Sequence, residues 1–329
     1  MRTVSLLSVV VPCHNEEQVL PSTHNRLNDI LKGLVDGKKC EEYEILYVDN
    51  GSTDGTLHVL QKIFEMNTYV RVIALRCNFG YQGSISAGLF HADGDAVVTI
   101  DADLQDPPEK IEEMMAYYNE GYDLVLGVRK NRSTDSWLKR FFSENYYRLL
   151  KGMGVDVVYN HGDFRLMSQS LVKAFNAMTE RNRLIRAMIL KLESRYALVQ
   201  YDRAFRREGR SKFNAPALFS LAFDGITSFS YVPLRIASFC GILMCLTTLV
   251  GIGWVLYIKT FTHVIPGWAS TLLPIFALSG FQLFVLGILG EYIGKLYMEV
   301  KQRPVFLVRS ECSHRKSREH NEDIRGKDR

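Results

Sequence analysis

Two stretches of the chain, residues 236–258 and 268–290, contain no charged side chain. Each is 23 residues long, roughly 34 Å as a helix and enough to cross a ~30 Å hydrocarbon core. This pattern excludes an ordinary soluble enzyme and predicts two membrane-spanning helices. The loop between them, 259–267, holds one Lys and no Arg, whereas the segment after Lys295 is rich in both. By the positive-inside rule, the large N-terminal part and the C-terminal tail both face the cytoplasm. Before the first window, Leu218, Leu221, Ala222, Ile226 and Phe229 recur at helical spacing. They read as an amphipathic helix on the membrane surface, with an ordinary core helix as the alternative.

The remaining sequence describes a large folded domain. Of 329 residues, 47% are hydrophobic and 23% charged, which excludes a disordered chain. A net charge of +4 is too small to point to nucleic acid. Six scattered cysteines with no C-x-x-C pair read as free thiols. The N-terminal run after Arg2 resembles a short signal peptide, but it breaks at Pro12 without a small-residue cleavage site, so a buried first strand is expected.

Apolar runs at 4–11, 45–48, 70–75, 96–100 and 124–128 read as strands, and the stretches near 17–35, 55–66, 82–92 and 108–120 as helices. Such alternation predicts an α/β fold with a mostly parallel sheet flanked by helices, whose ligands sit at the carboxyl ends of the strands. Beyond residue 130, helices are expected near 135–151, 170–179 and 181–193, with a strand at 197–202. The expected organisation is a catalytic domain over 1–213, the juxtamembrane helix over 214–232, the two-helix transmembrane part over 233–295 and a basic tail over 296–329, disordered from about 315 onward.

Asp101-Ala102-Asp103-Leu104-Gln105 follows the fourth apolar run. At strand spacing, residues 101, 103 and 105 project to one face, where two carboxylates and an amide oxygen suit Mg²⁺ or Mn²⁺. Asp106 is placed to cap the next helix, which Pro107-Pro108 opens. Two other polar loops end strands: Pro12-Cys13-His14-Asn15-Glu16 and Asp49-Asn50-Gly51-Ser52-Thr53-Asp54-Gly55. Together the three form a nucleotide-sized crevice; without G-x-G-x-x-G or a Walker lysine, dinucleotide and P-loop readings fall.

In this order, these motifs resemble the family 2 glycosyltransferases of GT-A fold. Gly162-Asp163-Phe164-Arg165-Leu166, Arg206-x-x-Gly209-x-Ser211-Lys212 and Gly290-Glu291-Tyr292-Ile293-Gly294, with two C-terminal spans, resemble in particular the polyprenyl-phosphate glycosyltransferases of the bactoprenol glucosyltransferase type. The resemblance covers residues 4–308. It implies a UDP-sugar donor and undecaprenyl phosphate as acceptor in the cytoplasmic leaflet of a bacterial inner membrane, with inversion at the anomeric carbon. The product is a lipid monophosphate-linked sugar, glucose by closest motif likeness, for O-antigen or other envelope glycans. Other hexoses, N-acetylhexosamines and aminoarabinose donors are carried by similar skeletons.

By the same resemblance, Pro12, Asn15 and Glu16 line the uridine pocket, with Asp49 near the base and Asp101 close to the ribose or diphosphate. Asp103, with Gln105 beside it, holds the divalent ion, and Asp101 lies near it. Asp163 orients sugar or acceptor, with a general-base role as the weaker option and a plain pairing with Arg165 as the bland one. Arg206, Arg207, Arg210, Ser211 and Lys212 suit the acceptor phosphate or, less specifically, anionic headgroups. Arg129 and Arg132 reach a phosphate or are ordinary surface charges. Glu291 is expected to pair with Lys295 one helical turn later. The resemblance also implies a homo-oligomer, with a tetramer as the expected state, and a flippase and second transferase as partners. One departure is Asn50, where many relatives carry a second Asp. A processive synthase is disfavoured, since no Trp follows an Arg; an idle membrane scaffold would not need Asp49, Asp101 and Asp103.

Overall fold

The computed structural model describes residues 2–130, 158, 161–181, 183–202, 232–261 and 268–314. The Val-, Ile- and Leu-rich runs form strands β1 (Leu6–Cys13), β2 (Glu42–Asp49), β3 (Val70–Leu75), β4 (Ala96–Thr99) and β5 (Leu124–Arg129). They are joined by α1 (Leu20–Asp36), α2 (Thr56–Met66), α3 (Gly80–His91) and α4 (Lys110–Asn119). Then come β6 (His161–Ser168), α5 (Gln169–Ala177), α6 (Ile185–Leu192) and β7 (Tyr196–Tyr201). Two long helices, α7 (Val232–Phe261) and α8 (Trp268–Val300), belong to a second unit, and β8 (Val308–Cys312) returns to the first.

One eight-stranded sheet runs in the order β7-β5-β6-β4-β1-β2-β3-β8. β1 is parallel to β2 and β4, β2 to β3, and β5 to β7, as helical crossovers require. β6 runs antiparallel to both β4 and β5, and β8 antiparallel to β3. The central strands are buried on both faces, which is why they read as continuous apolar runs rather than alternating ones. Leu27, Leu31, Leu60, Ile111 and Met114 of α1, α2 and α4 pack with Val9, Val11 and Ile45 into one core. On the opposite face α3 lies close enough to the sheet that a Cβ on Gly88 would sit 2.2 Å from Val10 Cγ1.

Register fixes where the loops meet. Cys13 pairs with Asp49, Asp49 with Ala74 and Val10 with Thr99. The carboxyl ends of β1, β2, β3 and β4 therefore form a single edge, where ligands of open α/β sheets bind.

Three sequence expectations differ from the structure. β6 sits in the middle of the sheet, although the sequence pattern loosens there. Residues 308–312 of the tail form an edge strand of the catalytic sheet rather than a separate appendage. Among the described residues no helix is long and apolar enough to cross a membrane, so the spans expected at 236–258 and 268–290 are not borne out by the helices themselves. The expected helix at 135–151, and that at 214–232 except Val232, which begins α7, lie outside the described residues.

Candidate active site

The loop after β1 is tied to the loop after β2. Asn15 adopts a left-handed backbone, φ 58°, which Asn tolerates better than most residues. Its Oδ1 accepts from the Thr53 amide at 2.8 Å, and its own N–H donates to Ser52 Oγ at 3.1 Å. The Glu16 amide donates to Thr56 Oγ1 at 2.8 Å, and Glu17 accepts from the Gly55 amide at 2.5 Å. These contacts fix the shape of the crevice wall.

Behind that wall lies a cavity of about 540 Å³, lined among others by His14, Asp49, Ser52, Arg76, Asn78 and Arg309. Asp49 is buried and accepts from the Ser52 amide at 3.3 Å. Of the expected nucleotide residues it alone lines this cavity; Pro12, buried in β1, and Asn15 and Glu16 do not. Gly51 has φ +61°, and a Cβ there would meet the Cys77 carbonyl carbon at 2.5 Å, so the two loops touch only because residue 51 is glycine. Asn50 is a clamp: its Nδ2 donates to Asn78 Oδ1 and to the Gly80 carbonyl, both at 3.1 Å, and its Oδ1 accepts from the Phe79 amide at 2.9 Å. A second Asp at this position could not donate to those two acceptors.

The acidic turn departs from the expected strand geometry. β4 ends at Thr99, and Leu104 takes φ 55°, so 101, 103 and 105 do not alternate along a strand. Instead Asp101 accepts from the Tyr81 hydroxyl at 2.5 Å, and Asp103 Oδ1 accepts from the Gln105 amide at 3.1 Å. Thr23 of α1 anchors the turn by donating to the Ala102 carbonyl at 2.6 Å. Asp106 is not a helix cap; it is fully buried, accepts from the Tyr201 hydroxyl at 2.6 Å and lies 3.5 Å from an Arg129 nitrogen. Arg129 is thus turned toward an internal carboxylate.

Burial pushes the Asp101 carboxyl up to about 7, against the Tyr81 hydrogen bond and with help from the charges of Asp106, Asp163 and Asp103. Two of these neighbours are answered by cations, Asp163 by Arg165 and Arg186 and Asp106 by Arg129, which leaves Asp101 and Asp103 as the carboxylates of the turn itself. Gln105 Oε1 is buried there with no hydrogen-bond partner. An oxygen-rich turn with a buried, unpartnered amide oxygen fits Mg²⁺ or Mn²⁺, with Asp103, Gln105 and Asp101 as the candidate ligands. Among the described residues no cluster of three or more His, Cys, Asp or Glu forms a protein cage.

Asp163 lies on β6, buried, with both carboxylate oxygens engaged. Arg165 pairs with one, while Arg186 Nε donates to Oδ1 at 3.1 Å and a second Arg186 nitrogen reaches Oδ2. Burial pushes this carboxyl up, but Arg165 and Arg186 together outweigh it and hold it well below the usual range. A carboxylate so paired is a poor proton acceptor, so the general-base option for Asp163 falls. Arg186 was not singled out in the sequence. The Asp163–Arg165 pairing was readable, since residues two apart on a strand share a face, but only once 161–168 is recognised as a strand. Arg132, Arg206, Arg207, Arg210, Ser211 and Lys212 lie outside the described residues.

Comparison with known proteins agrees with this architecture. The model of "Glycosyl transferase family 2" matches residues 8–175. An uncharacterized glycosyltransferase, YkcC of Bacillus subtilis, is 40% identical over 92% of both chains. The SfII prophage-derived bactoprenol glucosyl transferase of Shigella flexneri is 37% identical over 94% of this chain and 98% of its own. A prophage bactoprenol glucosyl transferase homolog of Escherichia coli is 36% identical, over 92% and 98%. Glucosyl-3-phosphoglycerate synthase from Mycobacterium tuberculosis, solved with Mn²⁺ and UDP-glucose, is 21% identical with a TM-score of 0.47 over 68% of this chain and 78% of that one, too distant to lend residue roles. Half the chain under one family model and three relatives above 35% identity along almost their whole length leave a single assignment: the chain belongs to glycosyl transferase family 2.

Proposed function

We propose that this protein transfers glucose from UDP-glucose to undecaprenyl phosphate at the cytoplasmic face of a membrane, with inversion at the anomeric carbon. The observation that carries the reading is the match to bactoprenol glucosyl transferases along nearly their whole length. The cavity at the ends of β2 and β3 offers Asp49 to the nucleoside, and the acidic turn after β4 lies on the same edge for the diphosphate. Asp103 and Gln105, with Asp101 beside them, would hold a divalent ion, which would supply charge neutralisation for a departing UDP. Asp163, fixed by two arginines, serves to position Arg186 and the floor of the crevice. No base is needed, because a phosphate monoester acceptor is already ionised at neutral pH. In-line positioning and electrostatics then supply the catalysis.

The membrane reading is supported by the two charge-free windows and by the side chains α7 and α8 present outward. Phe239, Ile242, Val250 and Trp254 on α7, and Leu283, Phe284 and Ile293 on α8, are all more than 60% exposed. Apolar surface of that extent needs a lipid or protein partner.

The test is transfer by the purified full chain in detergent, with undecaprenyl phosphate, a panel of radiolabelled UDP-sugars, and Mg²⁺, Mn²⁺ or EDTA. Organic-extractable label from UDP-glucose, abolished by EDTA and by Asp103→Asn, is expected. Label from another donor would replace glucose; none from any donor would refute the reading.

A further inference from the structure

The strand that follows the long helices brings a cation to the nucleoside cavity. β8 pairs with the outer edge of β3, Ala74 opposite Ser310 and Leu75 opposite Val308, so Arg309 is the extra residue of a bulge. Bulges re-aim side chains, and they gather beside active sites. Arg309 lines the same cavity as Asp49. Among the described residues no ion pair or hydrogen bond engages its guanidinium.

The strand is firmly seated. Glu311 binds Arg71 at 2.8 Å, and Arg71 in turn binds the buried Glu44 at 2.9 Å. His314 stacks on Phe64 with ring centres 3.9 Å apart, and the Arg76 amide donates to the Leu307 carbonyl at 2.9 Å. The backbone that carries Arg309 is therefore held in place before any ligand arrives, with its side chain exposed at the cavity.

Strand order decides which part of a nucleotide it can meet. β8 is two strands from β2, about 10 Å, but four strands from β4, about 19 Å. The acidic turn, where the diphosphate belongs, follows β4; Arg309 sits at the far end, with the base. A uracil edge presents carbonyl acceptors flanking an N–H donor. A carboxylate from Asp49 and a guanidinium from Arg309 offer the complementary acceptor and donors, whereas cytosine turns an amino donor toward the guanidinium.

Resting on the UDP-sugar reading above, we propose that Arg309 is a donor-specificity residue, reading a uracil carbonyl opposite Asp49. The test is calorimetric binding of UDP and CDP to the full chain in detergent, as wild type, Arg309→Ala and Arg309→Lys. Wild type is expected to prefer UDP. Arg309→Ala should weaken UDP about tenfold while leaving CDP nearly unchanged. Arg309→Lys, which keeps the charge but loses the planar fork, should show the same selective loss in smaller measure. Equal weakening of both nucleotides would mean a phosphate contact and overturn the base assignment, as would no change in either. Wild-type protein that binds neither nucleotide would overturn the uridine-donor reading itself, and this inference with it.

Discussion

Asp163→Asn is the sharpest test of the charge arrangement on β6. In the native protein one buried carboxylate answers two guanidinium groups. The Arg165 side chain is 0% exposed and Arg186 38%. Neutralising Asp163 leaves Arg165 with its charge buried, and one of its nitrogens already lacks a hydrogen-bond partner. Breaking a buried pair from one side costs about 3–5 kcal/mol. The Arg186 contact, half open to solvent, adds at most a few tenths of a kcal/mol. For a unit of this size, about 2–4 °C is lost per kcal/mol, so Tm should fall by roughly 6–20 °C at neutral pH. The pH dependence gives a second handle. The folded pKa lies below the unfolded one, so as pH falls the unfolded chain takes up the proton first. The stabilisation is complete above about pH 5 and drains away below pH 4. The gap between wild type and variant should therefore narrow below about pH 4, in thermal melts of the detergent-purified chain from pH 3 to 8. A variant melting within 2 °C of wild type at pH 7, or a gap that stays constant into acid, would refute the account.

Other expectations follow from single contacts. Gly51→Ala should cost at least ~2 kcal/mol through left-handed strain and collision with the Cys77 backbone, and weaken UDP binding by calorimetry. Asn50→Asp removes both donors that hold Asn78 and Gly80; a loss of about 1–3 kcal/mol in denaturant unfolding is expected. Tyr201→Phe withdraws the hydroxyl from the buried Asp106 carboxylate and should destabilise by about 1–3 kcal/mol. If Asp106 is structural, Mn²⁺ affinity of that variant, read by titration calorimetry, should stay within about threefold of wild type.

Much of the fold could be read along the chain, for a physical reason. β1 to β5 are largely buried on both faces, so each centres on a run rich in Val, Ile and Leu, and α1 and α2 between them carry apolar stripes. β6 escaped because its sequence, His161-Gly162-Asp163-Phe164-Arg165-Leu166, buries an ion pair in the middle of the sheet. A charged strand in a core carries no hydrophobic signature. β8 escaped because it is an exposed edge strand, with Arg309, Ser310 and Glu311 open to solvent. The site was legible as to which loops converge, since each follows a predicted strand. It was not legible as to which side chains are spent on structure. Asn15, Asn50 and Asp106 are spent on holding loops and strands together, and Asp163 is engaged by Arg186 from 23 residues away. Only tertiary contact shows that.

The pairing of β8 with β3 has a consequence for how the protein is made. Leu75 and Val308 are adjacent in the sheet, yet a ribosome at 5–20 residues per second needs roughly 10–50 s to pass from one to the other. Throughout that interval the nascent chain exposes the edge of β3, a hazard for pairing with a neighbour. The cavity wall that carries Arg309 is synthesised only after both long helices have been translated. A nascent chain halted before residue 308 has most of the sheet but an incomplete cavity.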